Sequence, residues 1–502
     1  MDNATHTANA NLVKNLKPEK FFHYFAEIAA MPRSSGNTAK VADYLADFAS
    51  RRGLECTRDS IGNVIIRKPA QNSSSAQTVI LQAHQDMVCV KTPESTHDFD
   101  ADPLSLVLDG DWLRADGTTL GADNGVGLAA ILAILDSGDL SHPALEGLFT
   151  VDEETTMAGI KAVRADQLAG NILINIDSED IGEAYVSCAA GRTYTLSLPV
   201  SRQKSTTGHS YARVVIEGLR GGHSGVEINQ GRANAFVLLG RFLATAMQDD
   251  VPFGLCDMNT GPVPGKDNAI PSHAEAVVSV ETDTGLVALA QLAQEMTPMF
   301  HNEFRVSDPG VAVRVEKATG AELSPLTAES ASRLLDAMML MPLGAIRFIQ
   351  DTERMEKPYG ELLVESSNNL GIVTMDTGEA HIKVMARGSV ASSLAELENK
   401  IAAVARRCGG SVFLNGRTDG WEMVSPPSPV QELFKSIGWR LLGIHAGLEC
   451  GTLVEAFRRE GRTLDAISIG PDVKGGHTPQ ERLGTSSVQK CWDDLTEVLG
   501  KL

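Results

Sequence analysis

The chain has 502 residues, and 43% of them are hydrophobic, which is enough to bury at least two sizeable cores. We therefore expect more than one domain. Its 44 Lys and Arg residues are outnumbered by 64 Asp and Glu residues, giving a net charge of −20. No basic stripe offsets this charge, which argues against a nucleic acid or an anionic membrane as partner.

The N-terminal segment and the cysteines give further limits. Residues 1–10 have neither the basic start nor the apolar core of a signal peptide. No uncharged apolar stretch approaches the roughly 20 residues that cross a bilayer. The seven cysteines are scattered and include no Cys-x-x-Cys pair, which argues against a disulfide framework and a thiolate zinc site. We expect a cytoplasmic protein.

Helical and strand-like segments alternate in the first part of the chain. Residues 18–53 are predicted to be helical, with a loop at Met31–Asn37. A further helix and several short Val- and Ile-rich strands follow. The helix is predicted over Gly125–Ser137, and the strands over Asn63–Arg67, Thr78–Gln82, Gly147–Val151 and Ile172–Ile176. Such alternation is typical of an α/β domain with a mostly parallel central sheet and helices on both faces.

The pattern changes near residue 191, where amphipathic strands and long helices begin. Helices are predicted over residues 232–248, 285–299 and 394–405, and a second round of the pattern covers about 328–390. This composition predicts a separate α+β domain over residues 192–410. The last stretch, 411–502, contains a predicted helix over Pro429–Leu442. We expect it to return to the domain formed by residues 1–191, so that the middle block is inserted as a lid.

Histidines and carboxylates stand apart in the sequence, in settings that can present them to a metal. They are His84, Asp123, Glu153, Glu154, Asp177 and His477. Several of them follow predicted strands, and ligand sites in open α/β sheets lie beyond the carboxyl ends of strands. Two imidazoles and three or four carboxylates suit two zinc ions that share a bridging carboxylate, with one carboxylate left as a base.

The individual positions suggest roles. Asp86 can orient the ring of His84, as carboxylates near metal-bound imidazoles do. Asp123 lies among glycines and can bridge two metals, although a helix-capping Asp is the alternative. Of the adjacent acids Glu153 and Glu154, one can bind metal while the other accepts a proton from water. Each position alone has an ordinary structural explanation, but the whole set is hard to explain in that way.

Three residues of the middle block have chemistry that suits substrate binding. His223, in the Gly-rich segment Gly221–Gly225, can polarise a carbonyl or stabilise an oxyanion, and Asn268 can donate to the same oxygen. Arg387 can form a bidentate pair with a substrate carboxylate. Ordinary loop or turn residues are the alternative for each.

Longer segments of the sequence resemble one family. The segments are Thr78–Cys89, Ala115–Gly127, Glu365–Gly371, His445–Gly451 and Gly470–Glu481. They are similar to the Xaa-His dipeptidases, also called aminoacyl-histidine dipeptidases or peptidase D, within the di-zinc aminoacylase/carboxypeptidase clan. The resemblance covers the chain from about residue 20 to the end.

The resemblance implies a role for each candidate residue. The two zinc sites that it implies are His84, Asp123 and Asp177 for one ion, and Asp123, Glu154 and His477 for the other. It makes Glu153 the general base toward a metal-bridging water, and Asp86 the acid that orients a ligand. In the lid it assigns substrate handling to His223, Asn268 and Arg387, and it implies a homodimer formed through the lid.

The expected reaction is therefore hydrolysis of unblocked dipeptides, of the Xaa-His type and more broadly. Zinc is the expected metal, and cobalt and manganese share its ligands. Because such a substrate has two charged ends, we expect Arg387 to bind its carboxylate and Glu449, an acid in a Gly-flanked loop, to bind its amine. A related aminoacylase or carboxypeptidase remains an alternative. A non-catalytic binding protein is disfavoured because every ligand and the base are present.

Overall fold

The structure is a computed structural model of the chain. It describes residues 3–204, 210–262, 264–280, 283–318, 323–350 and 362–502. Two compact units are present. Unit 1 comprises Met1–Cys188, Trp421–Gly443 and Leu448–Leu502, and unit 2 comprises Ala189–Gly420 and Ile444–Gly447. Unit 2 extends further than the predicted boundary after residue 410, because the strand at 411–418 pairs with the strand at 190–199 of the same unit.

The helices of the described chain are α1 (Asn3–Val13), α2 (Glu19–Ala29), α3 (Ala39–Arg52), α4 (Ala122–Leu135), α5 (Ala158–Ala162), α6 (Ala235–Gln248), α7 (Asp283–Glu303), α8 (Ala328–Leu340), α9 (Ala391–Arg407), α10 (Pro429–Ser436), α11 (Glu449–Arg459) and α12 (Thr485–Lys501). None of the helices in this part of the chain combines the length and the apolar character that crossing a bilayer requires.

The strands are β1 (Glu55–Arg58), β2 (Val64–Lys68), β3 (Thr78–His84), β4 (Leu106–Asp109), β5 (Trp112–Ala115), β6 (Ala144–Thr150), β7 (Ile172–Ile176), β8 (Glu183–Cys188), β9 (Ala190–Pro199), β10 (Ser210–Glu217), β11 (Gly222–His223), β12 (Gly254–Asn259), β13 (Ala269–Ile270), β14 (Ala274–Val280), β15 (Ala312–Ala318), β16 (Gly344–Gln350), β17 (Leu362–Met375), β18 (Glu379–Gly388), β19 (Ser411–Thr418), β20 (Arg440–Ile444), β21 (Asp465–Ile469), β22 (Val473–Lys474) and β23 (Arg482–Gly484).

Unit 1 is built on an eight-stranded sheet with the strand order β1-β2-β6-β3-β7-β21-β8-β20. The four central strands, β6, β3, β7 and β21, run parallel, and β1, β2 and β8 join through antiparallel pairings. The predicted α/β fold with a parallel core is confirmed. Because the central strands end at one edge of the sheet, the residues that follow them meet at that edge.

Helix α4 packs closely on this sheet, and nearly all of its residues are buried. A Cβ at Gly127 would lie 2.6 Å from the Cβ of Ala83 and 2.6 Å from the carbonyl oxygen of Ile176, so only glycine allows this approach to β3 and β7. Asp123 and Asn124 are not helical. Regular helix therefore begins at Gly125, as predicted, and Asp123 lies on an irregular turn before it.

The helix predicted over Pro429–Leu442 is too long. Helix α10 ends at Ser436, and β20 begins at Arg440. Between them Gly438 has a φ of 96°, a left-handed conformation that continues neither a helix nor a strand. The apolar residues after this turn belong to the sheet of unit 1.

Unit 2 is an α+β unit, as the sequence predicts. It contains a five-stranded sheet, β16-β17-β18-β9-β19, a four-stranded sheet, β12-β14-β10-β15, and the β11-β13 pair. Helices α6, α7 and α9 pack on these sheets, and α8 packs on α6. The predicted helices over 232–248, 285–299 and 394–405 correspond to α6, α7 and α9. Residues 351–361 of the predicted second round lie outside the described residues.

Candidate active site

The carboxyl edge of the parallel core in unit 1 brings together the candidate metal ligands and the candidate base. Strand β3 ends at His84, β7 is followed directly by Asp177, and the pair Glu153–Glu154 begins three residues after the end of β6. The loop between β22 and β23 carries His477, and the irregular first turn of α4 carries Asp123. Residues more than 350 positions apart in the sequence thus lie at one edge of the sheet.

Asp123 is at the centre of this cluster, with one carboxylate oxygen toward each histidine. Its Oδ1 lies 2.9 Å from Nε2 of His84, and its Oδ2 lies 3.2 Å from Nε2 of His477. A carboxylate whose two oxygens face two separate imidazoles has the arrangement that a bridging ligand of two metal ions requires.

Each histidine also faces a second carboxylate. Nε2 of His84 lies 3.5 Å from Oδ1 of Asp177, and Nε2 of His477 lies 3.1 Å from Oε2 of Glu154. Donor atoms of His84, Asp123 and Glu154 all lie within 4.8 Å of one another. Oε1 of Glu154 is buried and has no hydrogen-bond partner among the described residues. The nitrogen and oxygen donors of this set fit two divalent ions.

The pKa shifts show that the cluster has an excess of negative charge. Hydrogen bonds to Asp123 and Glu154 raise the pKa of His477 to about 11. Burial, together with the charges of Asp123 and Glu154, raises the pKa of Asp177 to about 6. Buried carboxylates at such short separations require compensating positive charge, which divalent cations can supply.

Asp86 connects a ligand to the loop that carries the two glutamates. Nδ1 of His84 lies 3.1 Å from the carbonyl oxygen of Asp86 and 3.4 Å from its Oδ1. The Asp86 carboxylate also accepts hydrogen bonds from Ser35 Oγ and from the amides of Glu153 and Glu154. Burial opposes its ionisation, but the hydrogen bonds and the His84 charge lower its pKa to about 2. Asp86 thus remains ionised and fixes the ring of His84.

Glu153 differs from its neighbour in its surroundings. Its side chain makes no hydrogen bond or ion pair with another residue of the described chain. Burial, with added repulsion from Asp177, Glu449 and Glu154, raises its pKa well above the usual value. A carboxylate with an elevated pKa and an unused acceptor is suited to accept a proton and release it again.

Glu449 is located differently from what the sequence predicts. It is the first residue of α11 and not part of an open loop, and it is 0% exposed. Its Oε2 accepts hydrogen bonds from Gln82 and, at 2.7 Å, from Thr150 Oγ1. Its Oε1 has no partner within the described residues, and burial raises its pKa to about 7. Its charge contributes to the raised pKa of Glu153, so the two acids are neighbours.

Unit 2 contains the other predicted substrate residues. Nδ1 of His223 accepts hydrogen bonds of 3.2 Å from the amides of Gly225 and Val226, which assigns the proton of the neutral ring to Nε2. The carbonyl of Asn268 accepts the amide of Ser224 at 2.9 Å. This bond and the β11-β13 pair connect the segments that carry His223 and Asn268.

Arg387 is a buried cation, 5% exposed, on strand β18. Its Nη2 lies 3.4 Å from the sulfur of Met385, and its Nε has no partner in the described part of the chain. Burial lowers its pKa to about 10, so it remains charged at neutral pH. Nearby, burial and the Arg387 charge lower the pKa of His445 to about 3, so that this imidazole is neutral. A buried guanidinium in this state is suited to bind an anion.

Three charged residues near the metal cluster were not identified from the sequence. Arg33 and Glu481 are buried at 2% exposure each. Burial, and the charge of Asp123, raise the pKa of Glu179 to about 7. All three lie in loops beside predicted ligands or breaker residues. Their position in Gly- and Pro-containing segments was the available signal, but the pattern of a loop does not reveal burial.

Residues 215–304, within unit 2, match the model of the M20 peptidase dimerisation domain. The whole chain is similar to the cytosol non-specific dipeptidase of Escherichia coli (strain K12), with 34% identity over 498 residues, 98% of this chain and 99% of that protein. The chain therefore belongs to the M20 family of peptidases and is a peptide-bond hydrolase.

Solved structures agree with this assignment. The aminoacylhistidine dipeptidase from Vibrio alginolyticus is 31% identical, with a TM-score of 0.82 and 98% of each chain covered. The aminopeptidase PepT from Bacillus cereus is 14% identical, with a TM-score of 0.57, covering 97% of this chain and 99% of that chain, and it shares the fold. The family resemblance identified from the sequence is confirmed.

Proposed function

We propose that the protein is a dipeptidase that hydrolyses unblocked dipeptides, including those of the Xaa-His type, with two Zn²⁺ ions per chain. The observation that carries this proposal is Asp123, whose two oxygens face His84 and His477 separately. The similar proteins of E. coli and Vibrio alginolyticus are both named as dipeptidases. Co²⁺ or Mn²⁺ can replace zinc, because the same ligands suit them.

The same similar proteins support a proposed location and assembly. The E. coli relative is named a cytosol enzyme, which supports a cytoplasmic location for this one. The match of residues 215–304 to a dimerisation domain supports a homodimer formed through unit 2. In such a dimer, His223 can act in its own chain or in the partner. Sedimentation of the full chain at several concentrations distinguishes a dimer from a monomer.

Each residue of the site has a separate proposed role in metal binding or catalysis. His84, Asp123 and Asp177 would hold one ion, and Asp123, Glu154 and His477 would hold the other. When bound, the ions lower the pKa of water and polarise the scissile carbonyl. Glu153 takes the proton of the attacking water and passes it to the leaving amine. Asp86 keeps the ring of His84 oriented, and His223 and Asn268 donate to the developing oxyanion.

Two charged residues are proposed to recognise the ends of the substrate. Arg387 binds the carboxylate, because it is a buried cation with an unused donor at Nε. Glu449 binds the amine through Oε1, which is its unused acceptor. An ammonium group would offset the burial that raises the pKa of Glu449 to about 7.

Metal analysis gives the first expected result. Protein refilled with zinc and freed of loosely bound ion should contain about two zinc ions per chain, because the donor set divides into two groups around Asp123. Excess chelator should abolish activity, and zinc should restore it. A metal content near zero, or full activity in chelator, would contradict the proposed metal centre.

The second expected result concerns activity toward a panel of substrates. Free dipeptides should be hydrolysed far faster than N-acetyl dipeptides, N-acetyl amino acids and tripeptides. Leaving one buried charge unpaired costs about 2–5 kcal/mol, so kcat/KM should fall by about 30-fold or more on acetylation. Glu449→Gln should reduce this discrimination, because the amide no longer favours an ammonium group.

The same panel tests Arg387. Arg387→Met should raise KM most for substrates with a free carboxylate. Arg192→Met is the matched control, since Arg192 lies on the neighbouring strand β9 and donates to the carbonyls of Gly191 and Thr418. Equal hydrolysis of free and acetylated dipeptides would identify an aminoacylase-like enzyme and overturn the dipeptidase proposal.

A further inference from the structure

The carboxylate of Glu481 binds the backbone turn that carries Asp123. Its Oε2 accepts hydrogen bonds from the amides of Leu120 and Gly121 at 2.8 and 3.0 Å. Its Oε1 accepts the amides of Ala122 and Asp123 at 2.7 and 3.2 Å. Four successive amides therefore point at one side chain that is 2% exposed. Such an arrangement fixes the backbone of the turn, and with it the direction of the Asp123 side chain.

Glu481 binds amides of this turn, whereas Arg33 binds a carbonyl of the same turn. Its guanidinium donates to the carbonyl of Gly121, and to the carbonyls of Asp86 and Gln85 at 2.9 and 3.3 Å. It thereby connects the Asp123 turn to the segment that follows His84. Arg33 is as buried as Glu481. Burial lowers the pKa of its guanidinium, and the charge of Glu481 opposes this shift.

Glu481 also belongs to the loop that carries His477. The amide of Glu481 donates to the carbonyl of Thr478 at 3.0 Å, and the amide of Thr478 donates to the carbonyl of Gly475 at 3.2 Å. His477 itself has a φ of 62°, so its backbone is held in a left-handed turn. The Glu481 carboxylate thus connects the loop of one histidine ligand to the turn of the shared aspartate.

From these contacts we infer that Glu481 is a positioning residue of the metal centre. Its carboxylate sets the position of Asp123 relative to His477, and Arg33 extends the connection to the segment that carries His84. The inference rests on the proposed metal centre. Glu481 itself is no ligand, because its two oxygens are already occupied by four amides.

The test is the zinc affinity of Glu481→Gln, measured by competition with a chromophoric chelator on the full chain. In this variant the side-chain NH₂ group of glutamine replaces one acceptor oxygen. This donor would face backbone N–H groups, which are also donors. We expect the affinity to fall by about 10–100-fold, as for other residues that orient metal ligands. The visible spectrum of the Co²⁺-substituted protein should also change, because that spectrum depends on ligand geometry.

Glu146→Gln is the matched control. Glu146 is 1% exposed, accepts the amides of Ala169 and Gly170 at 3.0 and 2.9 Å, and pairs with Arg67. Both substitutions remove a buried charge in unit 1 and should lower the unfolding temperature of the metal-free protein. Only Glu481→Gln should weaken zinc binding. If Glu481→Gln does not fold, Glu481→Asp retains the charge and shortens the reach, and it should weaken zinc binding to a smaller degree.

The outcomes separate this inference from the proposed function. If the wild-type protein binds no zinc, the metal centre itself is wrong. If the wild type binds zinc and the Glu481 variants bind it equally well, the positioning role is wrong while the metal centre stands. An equal loss of affinity in Glu146→Gln would also overturn the inference, because the effect would then be one of general stability.

Discussion

Replacing Glu153 by alanine is expected to lower kcat by about 10²–10⁴-fold while leaving the metal content nearly unchanged, because only proton transfer is removed. Its carboxylate bonds to no other described residue, and its raised pKa favours proton acceptance. Activity is measured with a free dipeptide at saturating concentration, and zinc is counted in the same preparation.

Glu154→Ala is the control for this experiment. The amides of both glutamates donate to Asp86, at 3.1 and 3.2 Å, so the two substitutions alter equally anchored backbone. Glu154 faces His477, with Oε2 at 3.1 Å from Nε2, and its loss should lower the metal content. If Glu153→Ala removes metal and Glu154→Ala does not, the two roles are reversed.

Much of the fold of unit 1 could be predicted because its core is simple. The short Val- and Ile-rich runs have only one stable location, a sheet covered on both faces. Strand ends in such a sheet share an edge, which explains why His84, Asp177 and Glu153 were identifiable before the structure was known. Strand Ile172–Ile176 has the predicted limits.

The rest depended on contacts between distant parts of the chain. Glu449 lies in a segment that resembles a loop in sequence, but bonds from Gln82 and Thr150 bury it at the start of a helix. The four amides that Glu481 accepts are about 360 positions away in the sequence. Neither periodicity nor residue spacing reveals these long-range contacts, because a buried glutamate and an exposed one in a loop look the same in the sequence.

Asp123→Ala is expected to remove both metal ions and with them all measurable hydrolysis. Asp123 is the only one of the described residues placed to serve both groups of ligands, with Oδ1 2.9 Å from His84 Nε2 and Oδ2 3.2 Å from His477 Nε2. Alanine has no donor atom in place of either oxygen, so both ions would lose a ligand and the shared carboxylate would be absent. Zinc content should fall from about two per chain toward zero.

Asp177→Asn is the informative comparison, because Asp177 faces His84 alone among the histidine ligands, at 3.5 Å. This variant should retain the ion held with Glu154 and His477, and its zinc content should be close to one. Retention of one ion by Asp123→Ala, at the affinity that Asp177→Asn shows, would mean that Asp123 serves a single ion. The two groups of ligands would then be independent, and a bridged centre would no longer explain why one carboxylate lies between both imidazoles.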